Sequence, residues 1–159
     1  MSIFGGADGV KSKQNGEFFA PGEYRVTVMA TIAKAQLRKS KQPALIIETR
    51  IDEVLAGDAK SNQEGQKTVQ ILKLESAGGE LTEAGERNMS KAKRFFAEVL
   101  GGLSTEDVTE EMMTKLTADN GAGIRGTQLR VSATGITTNA GNPFTTVKYG
   151  YVPAWNAAA

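Results

Sequence analysis

Between Pro21 and Pro153 the side-chain periodicity changes twice, from two to about 3.6 and back to two. That succession restricts the folds open to the chain. After a Pro21-Gly22 turn signal, Tyr24, Val26 and Val28 alternate with Arg25, Thr27 and Met29, the pattern of a half-buried strand. It can run on, bending, through Ala30 to Leu37. The stretch "PALIIETRIDEVL" predicts a second strand, with Leu45, Ile47 and Ile51 inward and Glu48 and Arg50 outward. A polar loop over 56–65 leads to "QKTVQILKLE", a third strand apolar on both sides, whose register the pattern does not assign.

The helical block follows. "NMSKAKRFFAEVLGG" places Met89, Ala92, Phe96, Val99 and Leu100 on one stripe and ends on Gly101-Gly102, a C-terminal stop. "STEDVTEEMMTKLTADNG" predicts a second helix, with Ser104 as N-cap, acids in the first turn, and Val108, Met112, Met113 and Leu116 on the apolar face. After a glycine-rich link, "GTQLRVSATG" predicts a fourth strand with Leu129, Val131 and Ala133 inward and Arg130 outward. A turn holding Asn139 and Gly141 joins it to the fifth, "FTTVKYGYVPA".

The expected fold class is mostly β with a helical insert, in the order β-β-β-α-α-β-β. That is the chain order of an OB-fold, a five-stranded Greek-key barrel. An α+β sandwich with helices on one face is the alternative. One domain is expected over residues 17–153, with the insert at about 88–118, a flexible arm over 1–16 and a short tail over 154–159. A chain of 159 residues suits one core rather than two.

Composition narrows the chemistry. With no Cys and no His, disulfides, thiolate nucleophiles, Ser-His pairs and Cys/His zinc sites are excluded, and the expectation is a protein that is not an enzyme and carries no cofactor or metal. No run approaches the roughly 18 apolar residues of a membrane span, and "MSIFGGADGV" lacks the regions of a secretory signal, so a cytoplasmic location without membrane association is expected. Net charge is +1, but it is segregated: +4 over residues 1–50, −6 over 51–120 and +3 over 121–159. Such asymmetry points to a charged working surface.

Two motifs dissolve in context. "GAGIRG" matches a dinucleotide fingerprint, but here a helix precedes it and a strand follows, the reverse of what places a phosphate on a helix N-terminus. Ser90 and Lys93 have the spacing of an acylating pair without its companion motifs. The acidic residues at 106–111 suit a helix first turn.

The basic residues carry more. Lys34, Arg38, Lys39 and Lys41 fall in the first inter-strand loop, which borders the ligand groove of OB-folds. Arg25, Arg50, Arg130 and Lys148 would extend the charge across the sheet and neutralise phosphates independently of sequence. Tyr149 and Tyr151, with Phe144 at the start of the same strand, are candidates to stack unpaired bases; Phe18, Phe19 and Tyr24 form a second aromatic group. The plain alternatives are a solvated turn for the loop and a core role for the rings, Tyr149 beside Val147 included.

The segments "FAPGEYRVTV", "KAKRFFAEVLGG" and "GTQLRVSATGITTNAGNPFTTVKYGYVPA" resemble small single-stranded DNA-binding proteins of tailed bacteriophages, a family first catalogued as a domain of unknown function. The likeness covers about residues 17–153, chiefly the PGEY motif and the closing hairpin. It implies an OB-fold that coats single-stranded DNA during phage replication or recombination in the host cytoplasm, with phage or host replication proteins as further partners. It does not decide between a monomer and a homodimer. Many bacterial single-strand binders end in an acidic tail that recruits partners; this chain ends "AWNAAA". The other reading, a protein-interaction or structural module on an OB-like fold, rests on the same chain order.

Overall fold

The computed structural model describes residues 19–38, 41–57, 62–137 and 143–156. The elements run β1 (Gly22–Lys34), β2 (Ala44–Ala56), β3 (Lys67–Lys73), a small hairpin of β4 (Ser76–Ala77) and β5 (Glu80–Leu81), α1 (Glu83–Val99), α2 (Glu110–Thr117), β6 (Gln128–Thr137) and β7 (Pro143–Tyr151). Five strands form one antiparallel sheet in the order β3-β2-β1-β6-β7, with the short hairpin separate.

The period-two pattern sets the inner face. Tyr24, Val26 and Val28 of β1, Leu45, Ile47 and Ile51 of β2, and Leu129, Val131 and Ala133 of β6 are all buried, as their alternation predicts. In β3, Thr68, Gln70 and Leu72 point inward, leaving Ile71 half exposed at 49%. β1 has register shifts against β2 between Arg25 and Val26 and between Val28 and Ala30. Such bulges bend a strand and raise its twist, which lets one long strand pair on both sides. The two edge strands approach each other inside the curl: the Tyr149 hydroxyl of β7 donates to Gln70 Oε1 of β3 at 2.6 Å. The result is a curled five-stranded sheet, compatible with an OB-like fold.

The helices fill the concave side. Phe95 and Phe96 of α1 share the core with Tyr24, Ile47, Leu129 and Tyr149, and the Thr31 hydroxyl donates to the Leu116 carbonyl of α2 at 2.9 Å. α1 begins five residues earlier than the expected 88, because Thr82 caps it: its hydroxyl accepts from the Gly85 amide at 3.1 Å, with Glu83 and Glu86 in the first turn. Gly85 lies inside this helix for a packing reason, since a Cβ there would come within 2.1 Å of the Glu75 carbonyl oxygen.

The second expected helix is broken. Thr105–Asp107 form a single 3-10 turn, Val108 is extended and buried, and α2 starts at Glu110. Burying Val108 takes the chain out of helical geometry, and Thr109, not Ser104, becomes the N-cap, its hydroxyl accepting from the Met112 amide at 3.2 Å. The "GAGIRG" segment is a turn locked against β1. Gly121 has φ +82°, and a Cβ there would meet Thr31 Oγ1 at 2.2 Å. The Gly126 amide donates to Val28 O at 2.8 Å. No helix is long and apolar enough to cross a membrane, among the described residues. The expected arm over 1–16 lies outside those residues, as does the turn over 138–142.

Candidate functional site

The outer face of the sheet collects four of the expected cations. β1 and β6 pair so that Arg25 stands directly opposite Arg130, and β1 and β2 pair so that Thr27 stands opposite Arg50. Lys148 of β7 is opposite Ser132, two positions along from Arg130. Like charges directly opposed in a sheet repel, so each guanidinium is held by something else. Arg25 Nε donates to Gln128 Oε1 at 2.8 Å, and its guanidinium lies 5.1 Å from the centre of the Trp155 ring. Arg130 Nη2 donates to Glu23 Oε1 at 2.8 Å. Arg50 Nε donates to Asp52 Oδ1 at 3.0 Å, and the Thr27 hydroxyl donates to the other carboxylate oxygen of the same residue. Among the described residues, neither Arg25 nor Lys148 makes an ion pair.

Carboxylates therefore stand among these cations. Glu53 is opposite Arg25 in the β1–β2 register, and Glu23 and Asp52 hold two of the arginines. Both ion pairs are solvent-accessible, with side-chain exposures of 48% and 21% for Arg50 and Asp52 and 47% and 38% for Arg130 and Glu23. Pairs of that kind contribute about 0–1 kcal/mol. An arriving phosphate, able to take a bidentate guanidinium contact, can displace either carboxylate at little cost.

The first-loop cations do not join this group. β1 continues for seven residues from Thr27 to Lys34, about 20 Å at the rise of a strand, so the loop lies at the opposite end of the sheet. The expected continuous stripe is two patches, separated by the second half of β1. Arg38 and Lys41 are exposed in a tight turn, in which the Leu37 amide donates to Gln42 O at 2.7 Å and the Lys41 amide to Leu37 O at 3.0 Å. Lys34 shares a groove with Glu110, one of the acids of the middle third. Lys39 lies outside the described residues.

Lys41 sits at φ +60°, in the left-handed region. That conformation costs a non-glycine residue about 1–2 kcal/mol. Lys41→Gly is expected to raise unfolding stability by up to about 1 kcal/mol in urea titration, after allowing for glycine's greater chain entropy, while weakening oligonucleotide binding. A stabilised variant with undiminished binding would remove Lys41 from the site.

The aromatic expectations are corrected by burial. Tyr149 is 9% exposed and belongs to the core: its ring meets Phe95 edge-on at 4.9 Å and Phe19 at 6.5 Å. Its hydroxyl is spent on Gln70, and burial pushes its ionisation well above the ordinary tyrosine range. It offers no face to a base. Phe19 and Tyr24 are core residues too, the Tyr24 hydroxyl donating to Ala20 O at 2.7 Å. Tyr151 is half-buried against the same core, and its amide donates to Glu98 Oε2 at 3.1 Å. Phe144 pairs with Ile136 in the β6–β7 ladder, but its side chain lies outside the described residues.

Trp155 and Arg125 had no signal in the periodicity. Trp155 follows the last strand in a 3-10 turn, Pro153–Trp155, and Arg125 sits in the glycine-rich link. Both line one concavity of about 470 Å³ beside the Arg25 patch, with Val99, Thr127, Tyr151 and Asn156. A second concavity, about 610 Å³, opens between α1, α2 and the base of the first loop; it is mostly apolar, with Leu45, Leu74, Met89, Phe96 and Met113 in its wall. No three carboxylates converge as a metal site among the described residues. Compared with protein-family models and with curated proteins, the chain matches none.

Proposed function

We propose that this chain is a non-enzymatic, sequence-tolerant single-stranded DNA-binding protein built on an OB-type barrel, and that it protects or organises single strands during phage replication or recombination. The observation that carries the reading is the solvent-facing opposition of Arg25 and Arg130, flanked by Arg50 and Lys148 on the neighbouring strands. The helices, which bring five of the fourteen acids of the middle third, pack on the other side of the sheet. The spatial order β6-β1-β2-β3, with the fourth long strand returning beside the first, is compatible with a Greek key and supports the barrel reading. Sites of about 4–16 nucleotides, usual for OB-folds, are long enough to engage both the face and the loop. The sequence resemblance supplies the phage context, the host cytoplasm as location, and replication proteins as further partners; a monomer and a homodimer are both compatible with it.

The test is fluorescence anisotropy of labelled oligo-dT at two salt concentrations, beside a duplex of equal length. Binding to the single strand that weakens steeply with salt, with weaker duplex binding, is the expected result. No binding at low salt contradicts the reading, and Mg²⁺-dependent cleavage of the oligonucleotide would make the protein an enzyme. A second reading, a protein-interaction module, is favoured by the apolar groove between α1 and α2. It gains if oligonucleotides fail to bind.

A further inference from the structure

The concavity at the C-terminal turn is built around a ring that one guanidinium covers, on a turn that Asn156 holds down. Asn156 clips the turn to the start of β6: its Oδ1 accepts from the Gln128 amide at 2.8 Å, and its Nδ2 donates to Gln128 O at 2.8 Å and to Val152 O at 3.1 Å. Gln128 also accepts from Arg25 Nε, which fixes the guanidinium over the Trp155 ring. Ring, clip and guanidinium therefore form one network before any ligand arrives. On the same wall Arg125 is exposed and spends only Nε, on Met29 O at 3.0 Å. Its two terminal nitrogens have no hydrogen bond among the described residues. Among the described residues no carboxylate lines this concavity, and the nearby Glu98 carboxylate is engaged by the Tyr151 amide at 3.1 Å.

We infer that the concavity takes one unpaired nucleotide of the bound strand, its base against Trp155 and its phosphate against the Arg125 guanidinium. The concavity, about 470 Å³, open to solvent and lined largely by polar groups, has room for one base and its phosphate. A preorganised indole loses little freedom on stacking, and a guanidinium with two unused nitrogens matches a phosphate in bidentate fashion. This inference rests on the proposed single-strand function and moves the stacking role from the fifth strand to the turn beyond it.

Trp155 is the sole tryptophan of the chain, so its emission reports this site alone, while anisotropy of a labelled (dT)12 reports binding anywhere. Quenching that parallels the anisotropy is expected. Trp155→Ala is expected to lower affinity roughly 5- to 150-fold, the worth of one base stack, with Trp155→Phe recovering much of it. Arg125→Gln, an exposed change that spares the fold, is expected to reduce the salt slope by about 0.7. An RNA 12-mer and thymidine monophosphate as competitors distinguish DNA, RNA and free nucleotide as occupants. Binding by anisotropy with unchanged emission, and with full affinity in both Trp155→Ala and Arg125→Gln, would overturn the pocket and leave the single-strand function standing. No binding by either readout would overturn both.

Discussion

Tyr149→Ala is expected to lower the free energy of unfolding by about 3–5 kcal/mol, the usual cost of deleting a buried aromatic ring. The ring sits between Phe19 of the N-terminal approach and Phe95 of α1, and its hydroxyl bridges the two edge strands through Gln70. Removing it opens a cavity where sheet and helix meet and releases the link that holds the curl. Tyr149→Phe keeps the ring and strands only the Gln70 acceptor, so about 1–3 kcal/mol is expected. Urea denaturation monitored by circular dichroism measures both. The phenylalanine variant should bind oligo-dT like the wild type, which separates core from site; a large affinity loss in that variant would restore Tyr149 as a contact.

The same residue gives a pH dependence. Burial keeps the phenol protonated in the folded chain at pH values where the unfolded chain, with its ordinary value of about 10, has ionised. Below that value both states hold the proton and the group adds no slope. Above it the unfolded state binds fewer protons than the folded one, so stability falls as pH rises. Tyr149→Phe should decline less steeply above pH about 10 than the wild type.

The burial of Tyr149 shows how far the pattern of residues could be read. In β6 and over Tyr24–Val28 of β1 polar or charged residues alternate with apolar ones, and in β2 Glu48 and Arg50 mark the outer side, so the inward set could be read directly, Arg25, Arg50 and Arg130 falling outward by the same rule. In β7 the alternating positions Val147, Tyr149 and Tyr151 are amphipathic rings and a valine. Such residues suit a core and a binding face equally, and only the approach of Gln70 from the far edge decides between them. β3 was ambiguous for a similar reason: Thr68 and Gln70 point inward, satisfied by Thr49 and Tyr149, while Ile71 faces solvent. Trp155 and Arg125 lie in irregular segments, where no period exists to place them. They come together through the Asn156 and Gln128 bonds, which join residues far apart in the chain. The separation of the basic loop from the face follows from the length of β1, legible in outline but not in its consequence.

The second large effect concerns the face itself. Replacing Arg25, Arg50, Arg130 and Lys148 together by glutamine is expected to weaken oligo-dT binding by about 10²–10³-fold near 0.1 M salt. For single strands each neutralised phosphate contributes about 0.7 to the slope of log affinity against log salt. Four contacts thus account for up to about three units of slope and about three decades of affinity relative to 1 M salt. Glu23 and Asp52 lose their arginine partners in this variant, yet both are solvent-accessible and Asp52 keeps the Thr27 hydroxyl, so the stability cost is small. Arg25 also leaves the Trp155 ring, and a control retaining Arg25 separates that contribution. Anisotropy titrations at several salt concentrations measure affinity and slope together. An unchanged slope would mean that the strand binds elsewhere.

Where the strand binds is also open to direct observation, by following backbone amide resonances as oligo-dT is added. Shift changes should concentrate on Arg25, Thr27, Arg50, Arg130 and Lys148, continuing to Arg38 and Lys41, with the helical side undisturbed. Changes confined to the groove of Met89, Phe96 and Met113, with the outer face of the sheet silent, would contradict a nucleic-acid role for that face.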